Sequence, residues 1–172
     1  IYGKTVRRAH GKGKRALHMV SAWASANRLM LAQVKTEEKS NEIDAIPELL
    51  KLIDIKGAIV TIDAMGCQQA IAKKIIGQGG EYVLSLKDNQ PKLHKMVKII
   101  FDLGKQTTYE GMLYRRKIEK IHDHGRVETR RYTLISGRDL LPFELRWPGL
   151  KSIGQLEITR TYDSKIVERS TR

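Results

Sequence analysis

An uncharged run of four β-branched residues, Ile59 to Ile62, constrains this chain more than any other feature of its sequence. Glycines flank the run at Gly57 and Gly66. Such a short apolar run between glycines is typical of a strand buried on both faces of a parallel or mixed sheet. The run ends at a carboxylate, Asp63, just before a segment with helical periodicity. We therefore predict a central strand followed by a helix.

The position of Asp63 allows two interpretations. A carboxylate at the carboxyl end of a central strand lies where open α/β sheets bind their ligands. Asp is also common where it only caps a helix or orders a turn. The local sequence does not decide between a functional and a capping role.

Composition and charge limit the class of protein. The 172 residues, 41% of them hydrophobic, suit a globular domain. We find no apolar run of about 18 residues and no signal-peptide pattern, so we expect no transmembrane helix. The single cysteine, Cys67, excludes an internal disulfide and a multi-cysteine zinc site, and it fits a reducing cytoplasm. The net charge of +13 indicates a polyanionic partner, most simply nucleic acid. The first residue, Ile1, falls within a predicted strand, and we expect the chain to be part of a longer protein.

The order of predicted elements suggests a fold. Three strands, expected to be antiparallel, are followed by helix, strand, helix, strand and helix, with Asn89 as the expected N-cap of the last helix. Further strands follow at 114–121, 127–136, 155–162 and 166–169. This is the order of the ribonuclease H fold. We therefore predict an α/β, ribonuclease H-like mixed sheet over residues 1–104, with a β-rich insertion or extension of the same domain over 105–172.

Two basic segments are candidates for contact with nucleic acid. The loop 7–15 contains no acid and is spaced by glycines, which suits phosphate contact, although a merely solvated loop would look the same. Both arms of the predicted hairpin around residues 122–125 are also cationic. The candidate residues are Lys4, Arg7, Arg8, Lys12, Lys14, Arg15, Arg115, Arg116, His124, Arg126, Arg130 and Arg131.

Four stretches, at 35–42, 57–68, 124–132 and 147–153, together resemble the H-repeat-associated group of bacterial insertion-sequence transposases, and the likeness extends over nearly the whole chain. The resemblance implies a ribonuclease H-like DDE transposase, in which two Asp and one Glu hold two Mg²⁺ or Mn²⁺ ions. Two such ions activate the attacking oxygen and stabilise the leaving oxygen at a phosphate. Double-stranded DNA is the implied partner, with no membrane, and a homodimer is left open.

Carried over to this chain, the pattern of three acids is incomplete. Asp63 matches the second acid and is the expected catalytic and metal-binding residue. Tyr2 occupies the position of the first acid, and a phenol is a poor ligand for a hard cation at pH 7. We expect the third acid on a helix beyond Arg172.

The resemblance therefore predicts a fragment of a DDE transposase catalytic domain that is inactive as it stands and holds no stable metal ion. The alternatives are a DNA-binding remnant with no enzymatic role, or an inert fragment. Whether the chain is itself an enzyme is left undecided, and its expected location is the cytoplasm.

Overall fold

The chain forms two compact units. The computed structural model describes residues 1–5, 18–36, 42–123, 126–137, 140–162 and 165–171. The first unit contains Ile1–Gln90 and Trp147–Gly149, and the second contains Pro91–Arg146 and Leu150–Arg172. The expected division into domains at residue 104 stays a prediction.

The first unit contains the predicted succession of three strands, a helix, a strand, a helix and a strand. In chain order these are β1 (Tyr2–Thr5), β2 (His18–Ala24), β3 (Leu29–Thr36), α1 (Glu42–Lys51), β4 (Ile59–Ile62), α2 (Gln69–Gly77) and β5 (Glu81–Leu84). The three strands β1, β2 and β3 form one antiparallel sheet in that order. The strands β4 and β5 form a parallel pair. This order of elements, including the antiparallel first sheet, confirms the prediction.

Helical spacing explains how the core of the first unit forms. Ala45, Ile46, Leu49 and Leu50 are buried on α1, because positions three and four apart lie on one face of a helix. Both leucines are completely buried, and each burial contributes about 2 kcal/mol relative to exposure. The cluster around them is completed by Val20, Ala22, Ile55, Val60, Ile62, Ile71 and Ile75.

The expectation that β4 is buried on both faces is wrong. Burial alternates along the strand: Val60 and Ile62 are in the core, whereas the Ile59 side chain is 66% exposed. The same holds for β5, where Val83 is 59% exposed. Side chains alternate between the two faces of a strand, and in the described residues only one face of this parallel pair packs against the core cluster.

A buried polar contact connects β1, β2 and α1. His18, the first residue of β2, and Glu42, the first residue of α1, are 3% and 4% exposed, and the His18 Nε2 atom bonds the Glu42 carboxylate. The carboxylate also occupies the space above Gly3, where an added Cβ would lie 2.6 Å from Glu42 Oε2. A larger residue at position 3 would therefore have to displace one member of a buried pair.

A short segment late in the sequence belongs to the first unit. Within Trp147–Gly149, the Pro148 carbonyl accepts a hydrogen bond of 2.5 Å from the Tyr82 hydroxyl. Gly149 has a φ of +64° and packs against Ile76, whose Cδ1 atom would lie 2.7 Å from an added Cβ. Only glycine satisfies both constraints without strain.

In its described residues, the second unit contains one α-helix and an antiparallel sheet. Its elements are α3 (Pro91–Gln106), β6 (Leu113–Asp123), β7 (Arg126–Ser136), β8 (Ser152–Tyr162) and β9 (Lys165–Thr171). The four strands pair in sequence order, so the predicted C-terminal β-structure is confirmed. Leu93, Val97 and Phe101 form the buried stripe of α3. Within the described parts of the chain, no helix is both long and apolar enough to cross a membrane.

Candidate functional site

Asp63 lies at the sheet edge that the sequence indicated. It follows β4 directly and caps a short 3-10 turn over Ala64–Gly66. Its exposed side chain accepts a hydrogen bond of 3.2 Å at Oδ1 from the Met65 backbone N–H. Asp63 therefore orders this turn, as the capping interpretation expects, and its catalytic and metal-binding role stays a prediction. Because β4 and β5 are parallel, Asp63 also lies where the carboxyl ends of both strands meet, which is the ligand-binding edge of open sheets.

The start of β1 lies beside the end of β4. The Ile1 backbone nitrogen donates a hydrogen bond of 2.7 Å to the Thr61 carbonyl. Tyr2 follows Ile1 directly and is 43% exposed. The described residues show no ladder of hydrogen bonds between β1 and β4.

The segment after β5 runs alongside the segment that carries Asp63. The Ser85 backbone N–H donates to the Ile62 carbonyl at 3.1 Å, and the Asn89 side-chain amide donates to the Ala64 carbonyl at 2.5 Å. The predicted N-cap role of Asn89 is therefore wrong: α3 begins two residues later, at Pro91, and the amide bonds a different loop instead.

The described residues do not fit the metal centre that the resemblance implies. They contain no group of three or more His, Cys, Asp or Glu side chains placed to hold one ion, and Mg²⁺ prefers several oxygen ligands in near-octahedral geometry. Glu128, another carboxylate of the chain, is not available as a metal ligand in place of a missing acid, because Arg160 and Arg130 bond both of its oxygens and hold its pKa below its usual value.

Some of the predicted nucleic-acid residues lie on described strands, and the others lie outside the described residues. Lys4 is exposed on β1. Six others lie outside the described residues: Arg7, Arg8, Lys12, Lys14, Arg15 and His124.

On β6, the neighbours Arg115 and Arg116 are both exposed and lie on opposite faces of the sheet. The Arg116 guanidinium lies over two stacked rings, 5.0 Å from the centroid of Tyr109 and 5.8 Å from that of Tyr114. The structure thus places Arg116 in a cation–π contact that its sequence position did not indicate.

The cations of β7 are engaged by acids that the sequence analysis did not consider. Arg130 Nε lies 2.6 Å from Glu128 Oε1, and Arg131 Nη1 lies 3.6 Å from Glu157 Oε2. Arg126 is partly buried and lines, with Arg130, a cavity of about 310 Å³. Residues two apart on a strand share a face, so the spacing of Glu128 and Arg130 could have revealed their pairing.

The match to a known family decides the identity of the chain. Residues 2–143 match the family model described as "Transposase DDE domain". The chain belongs to this family. No solved structure matches it.

Curated relatives of this DDE domain support the same assignment. It is 46% identical over 156 residues to the putative transposase YncI of Escherichia coli O157:H7, covering 89% of this chain and 39% of that protein. It is 44% identical over 156 residues to the H repeat-associated putative transposase YhhI of E. coli K12, covering 89% of this chain and 40% of that protein. An uncharacterized protein in the dhlA 3′ region of Xanthobacter autotrophicus is 43% identical over 165 residues, covering 95% of this chain and 55% of that protein. The resemblance to H-repeat-associated transposases is confirmed, and the DDE domain spans about half the length of these relatives or less.

Proposed function

We propose that this chain is part of the catalytic domain of a DDE transposase whose complete form cleaves and joins DNA, and that the chain itself does not cleave DNA. The position of Asp63 carries the proposal. Its carboxylate lies at the ligand-binding edge of the β4–β5 pair, and the family supplies the class of reaction. Tyr2, in place of a carboxylate on the strand that starts beside β4, is the reason to expect no cleavage.

The proposed fold is a ribonuclease H-like core in which β1 runs beside β4. The hydrogen bond from Ile1 to Thr61 supports this arrangement. It joins the residue just before β1 to the second half of β4. In such a sheet, residue 2 and residue 63 would project near one another at the same edge. The cytoplasmic location and a homodimer remain predictions; light scattering after gel filtration would check the second.

The second candidate function is that of a DNA-binding remnant with no enzymatic role. Tyr2 favours this candidate, because it stands where the family's pattern has an acid. Both candidates share one expectation, which is binding to duplex DNA through exposed cations such as Arg115 and Lys120 on β6. Phosphate contacts of this kind carry no base specificity, because bases are read in the grooves. Each neutralised phosphate contributes about −0.9 to the slope of log K against log salt.

Fluorescence anisotropy with a labelled duplex of arbitrary sequence tests the DNA contact. We expect binding that weakens steeply as salt rises. Arg115 and Lys120 lie on opposite faces of β6, so replacing either one by Gln should make the slope less negative by up to about 0.9 if that residue contacts a phosphate. The control removes two cations from helices of the first unit, Lys51→Gln with Lys74→Gln, and should leave the slope nearly unchanged. Absence of binding at low salt would exclude both candidates.

A cleavage assay separates the two candidates. We expect neither the natural chain nor the Tyr2→Asp variant to cut DNA in Mn²⁺, because two acids do not complete a two-metal site. The same Tyr2→Asp change in a longer version carrying the third acid should restore cleavage if the transposase proposal is right. If that longer version stays inactive while the duplex still binds, the remnant interpretation is supported. Cleavage by the 172-residue Tyr2→Asp chain, above a Tyr2→Asp/Asp63→Ala control, would overturn our placement of the site.

A further inference from the structure

Asp63 lies between two backbone carbonyls that are both bonded from the segment following β5. On one side, the Ile62 carbonyl accepts from the Ser85 N–H at 3.1 Å. On the other, the Ala64 carbonyl accepts from the Asn89 side-chain amide at 2.5 Å. The Ala64 carbonyl also accepts the Cys67 N–H at 3.2 Å, so both of its lone pairs are used.

A second side chain extends this contact along the turn. The Gln90 amide nitrogen donates to the Cys67 carbonyl at 3.0 Å and lies 3.2 Å from the Gln68 side-chain oxygen. Two consecutive residues, Asn89 and Gln90, therefore bond the start and the end of the turn that Asp63 caps. Both residues are distant in sequence from that turn, by 25 and 23 positions.

We infer that Asn89 and Gln90 are positioning residues for Asp63, a role that rests on the proposed function. Their side-chain amides fix the backbone that follows Asp63, and the β4–β5 pairing fixes the backbone that precedes it. The carboxylate is thereby held at the sheet edge although its side chain is exposed. A catalytic carboxylate requires such support, because small displacements of a reacting group cost rate steeply.

The structure offers a matched control for this role. Gln78 also uses its side-chain amide to bond a distant backbone carbonyl in the first unit, that of Leu50, at 3.2 Å. That bond joins the end of α2 to α1 and lies outside the Asp63 turn. Loss of the Gln78 bond should therefore affect overall stability without releasing the turn.

Amide hydrogen exchange at Met65 measures the turn directly, because the Met65 N–H donates to Asp63 Oδ1. Loss of one net hydrogen bond corresponds to about a fivefold change in an opening equilibrium. We expect exchange at Met65 to accelerate at least about fivefold in Asn89→Ala and in Gln90→Ala. In Gln78→Ala it should change less than about twofold. Equal Met65 exchange in Asn89→Ala, Gln90→Ala and the natural chain would overturn the inference.

A second readout separates this inference from the proposed function. In the Tyr2→Asp background, the apparent affinity for Mn²⁺, followed by electron paramagnetic resonance, should fall severalfold on adding Asn89→Ala but not on adding Gln78→Ala. If Tyr2→Asp binds no Mn²⁺ while Met65 exchange responds as expected, the proposed role of Asp63 fails and the contact from Asn89 and Gln90 stands. If Tyr2→Asp binds Mn²⁺ equally well with and without Asn89→Ala, the positioning role is refuted.

Discussion

Replacing Gly3 by Ala tests how firmly the buried pair of His18 and Glu42 is held. An added Cβ at position 3 would overlap the Glu42 carboxylate, with Oε2 at 2.6 Å. The far end of a glutamate can usually swing away from such a contact. Here it is buried and bonded to His18, so a swing would separate two buried polar groups.

The expected cost follows from that separation. A buried polar group that loses its hydrogen-bond partner typically costs about 1–3 kcal/mol, and separating His18 from Glu42 leaves two such groups. The carboxylate can relax partly, so we expect the free energy of unfolding to fall by about 3 kcal/mol in Gly3→Ala. Gly77→Ala is the control, since nothing lies within 4 Å of its added Cβ and it is the last residue of α2. That change should be neutral or stabilising by up to about 1 kcal/mol.

Urea unfolding followed by tryptophan fluorescence provides the measurement, and a double-mutant cycle identifies the cause. In the Glu42→Ala background the overlap is gone, so Gly3→Ala should then cost less than about 1 kcal/mol, giving a coupling of about 2 kcal/mol. Our reasoning would be refuted if Gly3→Ala and Gly77→Ala had the same effect, or if the costs of Gly3→Ala and Glu42→Ala simply added.

Three further predictions concern the Cys67 thiol, metal binding and the buried stripe of α3. Burial raises the pKa of Cys67 to about 11, so at pH 8 iodoacetamide should modify the folded chain at least about 100-fold more slowly than the urea-unfolded chain; comparable rates would contradict this. Mn²⁺ should raise the melting temperature of Tyr2→Asp but not of Tyr2→Asp/Asp63→Ala, because a ligand that binds only the folded state stabilises it. Phe101→Ala, which empties a site that is 1% exposed, should cost about 3–5 kcal/mol in urea unfolding, whereas Leu103→Ala, at 50% exposure, should cost less than about 1 kcal/mol.

Much of the fold was predictable because local rules determine it. Alternating apolar residues and turn residues revealed the strands, and the spacing of Leu93, Val97 and Phe101 revealed α3. The burial of β4 was not predictable in the same way. An apolar run shows that a strand can be buried, but whether a second layer covers Ile59 depends on residues far away in sequence.

The candidate site was predictable only in part. Asp63 was identified because strand end, acid and helix follow one another in the sequence. Asn89 was misread because Asn before a helix is a common N-cap signal, whereas its actual bond to Ala64 joins two loops and leaves no periodic pattern. The contact of Arg130 with nucleic acid stays a prediction, and its pairing with Glu128 makes the guanidinium less accessible to phosphate than its charge alone suggests.

The return of Trp147–Gly149 to the first unit has an evolutionary consequence. The chain leaves the first unit after Gln90 and returns to it at Trp147. There the Pro148 carbonyl accepts a hydrogen bond from Tyr82, and Gly149 packs against Ile76. The entropy of closing a flexible loop grows only with the logarithm of its length, so doubling such a loop costs about 0.6 kcal/mol. Length changes in the connections between α3, β6 and β7, rather than within these elements, should therefore cost the first unit little, and we expect insertions to accumulate at those connections as such chains diverge.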